Sequence, residues 1–138
     1  MPEPVIICLH QPALGLAEKV ASLCDGEVHG LQSRVNTIPE TFEKTKEHLQ
    51  DLFQKGHPLV GICSSGILIR SLADVLSDKH TEPPVLAVAE DGSCVIPLLG
   101  GHHGANNLAR KIASGLGVAA AVTLSLIHIS EPTRLDDI

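Results

Sequence analysis

The chain is expected to fold as an α/β domain of three layers, Rossmann-like, with a mostly parallel sheet, helices on both faces and one β-hairpin. Two patterns predict this. Short continuous apolar runs alternate with stretches whose apolar residues recur at helical spacing, and strands separated by helices pair in parallel through crossovers. The alternation breaks once, within residues 85–98, where Asp91-Gly92 separates two apolar runs and supplies the positive φ of a tight turn.

Each element follows from its local pattern. Residues 5–9 are an apolar run bounded by prolines, as expected of a strand buried on both faces. Leu14, Ala17, Val20, Ala21 and Cys24 then mark one face of a helix that stops at Asp25-Gly26. Residues 27–31 read as a second strand. After a polar loop, Phe42, Lys46, Leu49 and Phe53 trace a second helix through Lys55, closed by Gly56. Residues 59–63 give a third strand, and residues 67–77 a third helix with Leu68, Leu72, Val75 and Leu76 inward. The hairpin comprises residues 85–89 and 93–98, with Pro97 near a strand end or sheet edge, where no ladder donor is missed. Residues 106–116 form the last helix, stopped by Gly117, and residues 118–123 a final strand. With no internal repeat, low-complexity tract or linker, one domain spans residues 1–123.

Composition narrows the function. A length of 138 residues suits one domain, which buries roughly two-thirds of its unfolded surface. The formal charge is −6; residues 124–138 (Glu131, Asp136 and Asp137 against Arg134) carry −2 of it and leave −4 for the rest. Such a balance, with two Phe and no Tyr or Trp, offers no basic face with interleaved aromatics and excludes nucleic acid as the expected partner. No apolar stretch approaches the length of a membrane span and no signal peptide opens the chain, so a cytoplasmic location is expected. The four cysteines, at 8, 24, 63 and 94, lack zinc-site or disulfide spacing and read as small buried thiols in a reducing compartment. Cys63 stands apart because it ends a strand just before a helix, a position where low-pKa thiols occur.

The feature richest in chemistry is Gly100-Gly-His-His-Gly-Ala-Asn-Asn107, between an apolar run and a helix. Its glycines, Gly100, Gly101 and Gly104, let the backbone approach a ligand closely, and the helix that follows has free N–H groups at its start. His102 or His103, with an imidazole pKa near 6.5, can activate water or donate to an anion near neutrality. Neighbouring residues rarely point the same way, and His102 is taken as the catalytic candidate. The adjacent His-His pair, with no cysteine close by, fails the spacing of a zinc site, so no metal and no cofactor are expected. His10-Gln-Pro-Ala-Leu-Gly15 after the first strand is not a dinucleotide fingerprint, and Gly61-Ile-Cys-Ser-Ser-Gly66 is not a nucleophile elbow. A second candidate region is the turn at Ser64 and Ser65, which leads from a strand's carboxyl end into a helix. These serines could cap that helix or hold an anion, and Arg70, a turn further on, could pair with a carboxylate.

Three blocks occur in order: Gly61-Ile-Cys-Ser-Ser-Gly-Ile-Leu-Ile-Arg70, Pro83-Pro-Val-Leu-Ala-Val-Ala-Glu-Asp-Gly92 and the glycine–histidine loop. Together they resemble the N-terminal domain of the cobalamin-biosynthesis protein CbiG, the cobalt-precorrin-5A hydrolase family, including forms fused to a precorrin-3B methyltransferase. The resemblance covers most of residues 5–123. It implies opening of the δ-lactone of a corrinoid substrate, with a two-carbon unit leaving as acetaldehyde. The macrocycle is fringed with carboxylates, so its site needs anion-holding donors and one group to activate water; the loop offers both, and the expectation is that N–H groups from Gly101 to Ala105, with Asn106, hold a carboxylate or oxyanion while His102 activates water. It does not mark Cys63 as a nucleophile, and the family has small apolar residues where Ser64 and Ser65 stand.

Two other readings remain open. The domain could be a non-catalytic corrinoid-binding or docking module that serves missing middle and C-terminal domains or a fused methyltransferase. A generic sugar- or nucleotide-binding domain fits less well, because phosphate motifs are missing. A homodimer is compatible with either. Finally, Leu124-Ser-Leu-Ile-His-Ile-Ser-Glu-Pro-Thr-Arg134 resembles a translated sequencing adapter. Residues 124–138 are therefore expected to be a non-native tail on a truncated parent, with Leu126-Ile-His-Ile129 able to pair with a bare sheet flank.

Overall fold

The computed structural model of the chain describes residues 2–76, 82–101 and 104–121. Its elements are β1 (Val5–Cys8), α1 (Leu14–Cys24), β2 (Glu27–Leu31), β3 (Thr41–Phe42), α2 (Thr45–Gln54), β4 (Leu59–Ile62), α3 (Ser65–Leu72), β5 (Val85–Val88), β6 (Val95–Leu99) and α4 (Ala105–Leu116). The six strands lie in the order β3-β2-β1-β4-β5-β6, all parallel except β6, which runs antiparallel to β5. The expected mixed α/β fold is the one found.

Every residue of β1, β4 and β5 is buried, because helices cover both faces of these central strands. Alternation divides their side chains between two cores. Ile6, Val60, Ile62, Leu86 and Val88 face α1 and α4, where Val20, Ala109 and Ile112 meet them. Val5, Ile7, Leu59, Val85 and Ala87 face α2 and α3, where Leu49, Phe53, Leu68 and Leu72 complete the second layer. No helix of the described residues is long and apolar enough to cross a membrane.

The differences from expectation are local. Phe42 belongs not to α2 but to β3, where it pairs with Leu31; Lys44 keeps an extended backbone and the helix starts at Thr45. A two-residue strand is too short to carry a periodic signal. Ser65–Leu72 starts earlier than its apolar pattern and gives way to a 3₁₀ turn at Ala73–Val75. Of the expected last strand, Ala120 makes one parallel bridge to Val95, while residues 122 and 123, like the proposed tail, fall outside the described residues. The hairpin turn forms at Asp91 and Gly92 as expected: Gly92 has φ +76°, and the Ser93 N–H donates to Asp91 Oδ1 at 3.0 Å.

Candidate functional site

The antiparallel course of β6 decides where the glycine–histidine loop lies. Leu99 pairs with Val85, the first residue of β5, so the chain leaves β6 at the amino end of the parallel strands. Gly100 turns there with φ +81°, and a Cβ on it would lie 2.5 Å from the Pro83 carbonyl oxygen. Its close approach is thus to its own chain. Gly101 differs: it is exposed, has no positive φ, and a Cβ would meet nothing within 4 Å. Neither packing nor conformation of the described chain requires glycine there.

Gly104, at φ +95°, precedes α4 and makes no side-chain cap. The Ala105 N–H donates to the Gly100 carbonyl at 3.3 Å and Ala105 is buried, so this amide closes the loop on itself. Asn106 is half-buried. His102 and His103, the imidazoles of the motif, lie outside the described residues. Beside the loop runs a cleft of about 380 Å³, walled by Pro2, Pro4, Pro58, Pro84 and Leu108, with Glu3 and Asp25 also on its lining.

The second candidate region occupies the opposite end of the sheet. Ser64, exposed, is the N-cap residue of α3 with an extended backbone; neither it nor Ser65 is used as a side-chain cap, and the Ile67 N–H reaches the Ser64 carbonyl at 3.2 Å. Arg70 is exposed and folds back over Gly66, its Nη1 3.1 Å from where a Cβ would stand.

Around that turn are groups that sequence reasoning did not single out as site residues. A concavity of about 620 Å³ is lined by Ser64, Glu90, Asp91 and Ser93. An adjoining one of about 490 Å³ adds His10, Arg34 and Thr45, and both are lined by Cys63, Ile67 and Glu90. The imidazole of His10 pairs through Nε2 with the Glu90 carboxylate. His10 follows β1 and Ser64 follows β4, so this groove sits where the strand order reverses, the usual ligand position in open parallel sheets. Its signal in the sequence was the residue after each of two central strands, which becomes meaningful only once those strands are known to be neighbours.

Three of the four cysteines are buried as expected, whereas Cys94 is half-buried. Burial, with a smaller contribution from the Glu90 carboxylate, pushes the Cys63 thiol up to about 12, so it stays protonated. Burial also raises Cys8, whose thiol donates to the His10 carbonyl at 3.3 Å, and Cys24. Cys63 is a core thiol, as its composition and family resemblance suggested.

Comparison with known proteins bears on the whole domain. The family model described as cobalamin synthesis G N-terminal matches residues 47–125, more than half of the chain. The chain is 38% identical over 76 residues to a cobalt-precorrin-5A hydrolase of Priestia megaterium, covering 54% of this chain and 20% of that protein. It is 39% identical over 79 residues to the cobalt-precorrin-5A hydrolase of Salmonella typhimurium, covering 56% of this chain and 22% of that protein. The matched stretch therefore spans about a fifth of these relatives. The crystal structure of a cobalamin biosynthesis protein G homolog from Sulfolobus solfataricus superposes with a TM-score of 0.65 at 22% identity, covering 91% of this chain and 39% of that one; this likeness concerns the fold.

Proposed function

Because the chain belongs to the cobalamin synthesis G N-terminal family, we propose that it is the corrinoid-handling amino-terminal domain of a cobalt-precorrin-5A hydrolase. The observation that carries this reading is the identity of 38% and 39% to two proteins of that name. The family match, residues 47–125, includes the glycine–histidine loop.

In the proposed mechanism the loop contributes exposed backbone at Gly101, room at Gly104 and the start of α4, with Asn106 one residue into the helix. A substrate carboxylate, or the oxyanion formed when water adds to the lactone carbonyl, accepts hydrogen bonds from these groups. His102 takes the proton from the attacking water, the tetrahedral adduct collapses with cleavage of the acyl–oxygen bond, the imidazolium returns that proton to the departing ring oxygen as a hydroxyl, and the new carboxylic acid loses its proton to solvent as a carboxylate. The acidic groups near the loop, Glu3 and Asp25, repel an anionic substrate from the cleft lining, so the loop amides rather than the cleft carry recognition. Ala105 contributes shape rather than a donor, since its N–H is engaged by Gly100.

The test is His102→Ala in the full-length parent. Lactone opening is expected to fall by roughly 100-fold or more with substrate binding retained; undiminished turnover rules out the base role. A second reading rests on the short span of the match, about a fifth of each relative. On that reading the domain is a binding or docking module and the catalytic groups reside in the remaining domains or a fused partner. Absorbance titration with the corrinoid intermediate separates the two: binding by this chain, with turnover of the parent indifferent to loop variants, favours the module.

A further inference from the structure

At the β3 flank of the sheet, three side chains able to ligate a metal are gathered on one surface. Glu27 and His29 are two apart on β2 and share its α2-facing side. In the parallel β2–β3 ladder Gly30 pairs with Thr41 and Leu31 with Phe42, which brings Glu40 alongside His29. One ligand atom from each of Glu27, His29 and Glu40 lies within 4.8 Å of the other two.

A fourth group orders the cluster from behind. His29 Nδ1 is 2.8 Å from His48 Nε2, while His29 Nε2 faces Glu27 Oε1 at 3.4 Å. Two imidazole nitrogens at that separation share one proton. The His48 ring is clamped by stacking on Phe42, with centroids 4.5 Å apart and planes 8° from parallel. The contact between the two imidazoles holds the His29 ring so that its Nε2 edge faces Glu27, whichever of the two nitrogens carries the shared proton. One ring nitrogen of His29 and one carboxylate oxygen from each of Glu27 and Glu40 thus converge as three possible ligand atoms.

We propose that Glu27, His29 and Glu40 form a binding site for a first-row divalent cation, Zn²⁺ being the best match, with His48 as the positioning residue that holds the His29 ring. One imidazole nitrogen and two carboxylate oxygens, with Glu40 exposed, leave the remaining coordination to water. When His29 ligates through Nε2, His48 stands at its Nδ1, the place that outer-shell acceptors hold beside a ligating histidine. The three ligand residues precede residue 47 and so lie outside the family match; the site is a property of this chain's own first elements.

The test uses the full chain, with Zn²⁺ alone by calorimetry and Co²⁺ alone by visible absorption. One equivalent is expected, with a Co²⁺ spectrum free of thiolate charge transfer. Glu27→Gln, near-isosteric and at a half-exposed position, is expected to weaken binding by on the order of 100-fold, and His29→Ala at least as much. His48→Phe, which keeps an aromatic ring beside Phe42, is expected to cost about 10-fold, and His48→Gln, which restores an acceptor, to recover part of that loss. Circular dichroism confirms that each variant is folded. Equal Zn²⁺ affinity of Glu27→Gln and the parent chain overturns the site, as does a thiolate band in the Co²⁺ spectrum. Absence of Zn²⁺ binding at micromolar concentration, with His29 protonated well above its ordinary range by NMR, overturns it in favour of an imidazolium that bridges the carboxylates.

Discussion

The two ends of the sheet carry candidate sites of opposite character. At the carboxyl end, His10, Glu90, Ser64 and Arg34 stand around a broad groove at the reversal of strand order. At the amino end, the glycine–histidine loop stands beside a cleft whose walls include four prolines. In a wholly parallel sheet every strand-to-helix loop would emerge at the carboxyl end; here a single antiparallel strand delivers β6 to the other side. The lesson is topological. Strands four residues long separate the two ends by roughly 10 Å or more, so Ser64 and Ser65 do not join Gly100, Gly104 and Ala105 in one local cluster.

The largest expected effect sharpens the reading of the amino end. Gly100→Ala should lower stability by about 2–5 kcal/mol in urea unfolding, from the left-handed backbone and the collision with Pro83 together. Gly101→Ala is the contrasting probe: with no positive φ and no described residue within reach of a new Cβ, its stability should stay within ~1 kcal/mol, with any change toward stabilisation. In the full-length parent the same variant should raise KM for the corrinoid if the loop grips substrate. Ser64→Ala breaks the comparison the other way. With no side-chain cap bond to lose, it should cost less than the ~1 kcal/mol usual for a capping serine. If it raises KM while Gly101→Ala does not, the substrate site belongs at the carboxyl end.

Two smaller effects are electrostatic. The folded chain holds His48 below its ordinary 6.5, so in acid the unfolded chain binds this proton more readily. Stability should therefore fall as pH drops below about 6.5, and His48→Phe should flatten that part of the pH profile. The least effect is expected at Cys63, which should resist alkylation at mildly alkaline pH. Glu90→Gln should lower its pKa by removing a nearby anion, yet burial, the larger cause, keeps the thiol protonated and slow to react.

The central fold was legible because its strands are apolar on both faces and its helices end at recognisable stops, such as Asp25, which takes a left-handed conformation, and Gly117. The third strand in the sheet's flank was not, because Thr41 and Phe42 owe their conformation to pairing with Gly30 and Leu31 rather than to any local preference. Candidate site chemistry was legible where it was contiguous, as in the glycine–histidine motif. It was hidden where residues meet only through tertiary pairing: His10 with Glu90, or Glu27 and His29 with Glu40 and His48. The direction in which the motif faces was implicit in the hairpin, since a strand that turns back must end where its partner began.

The position of β1 has a consequence for how the polypeptide is made. Val5–Cys8 pairs on one edge with β2 but on the other with β4, more than fifty residues later in the chain. At roughly 5–20 residues per second of synthesis, that second edge waits several seconds for its neighbour. During that wait a bare Val-Ile-Ile-Cys ribbon is open to capture by another nascent chain or by a chaperone. Codon choice between residues 32 and 58 thus sets how long that edge waits once β2 has emerged.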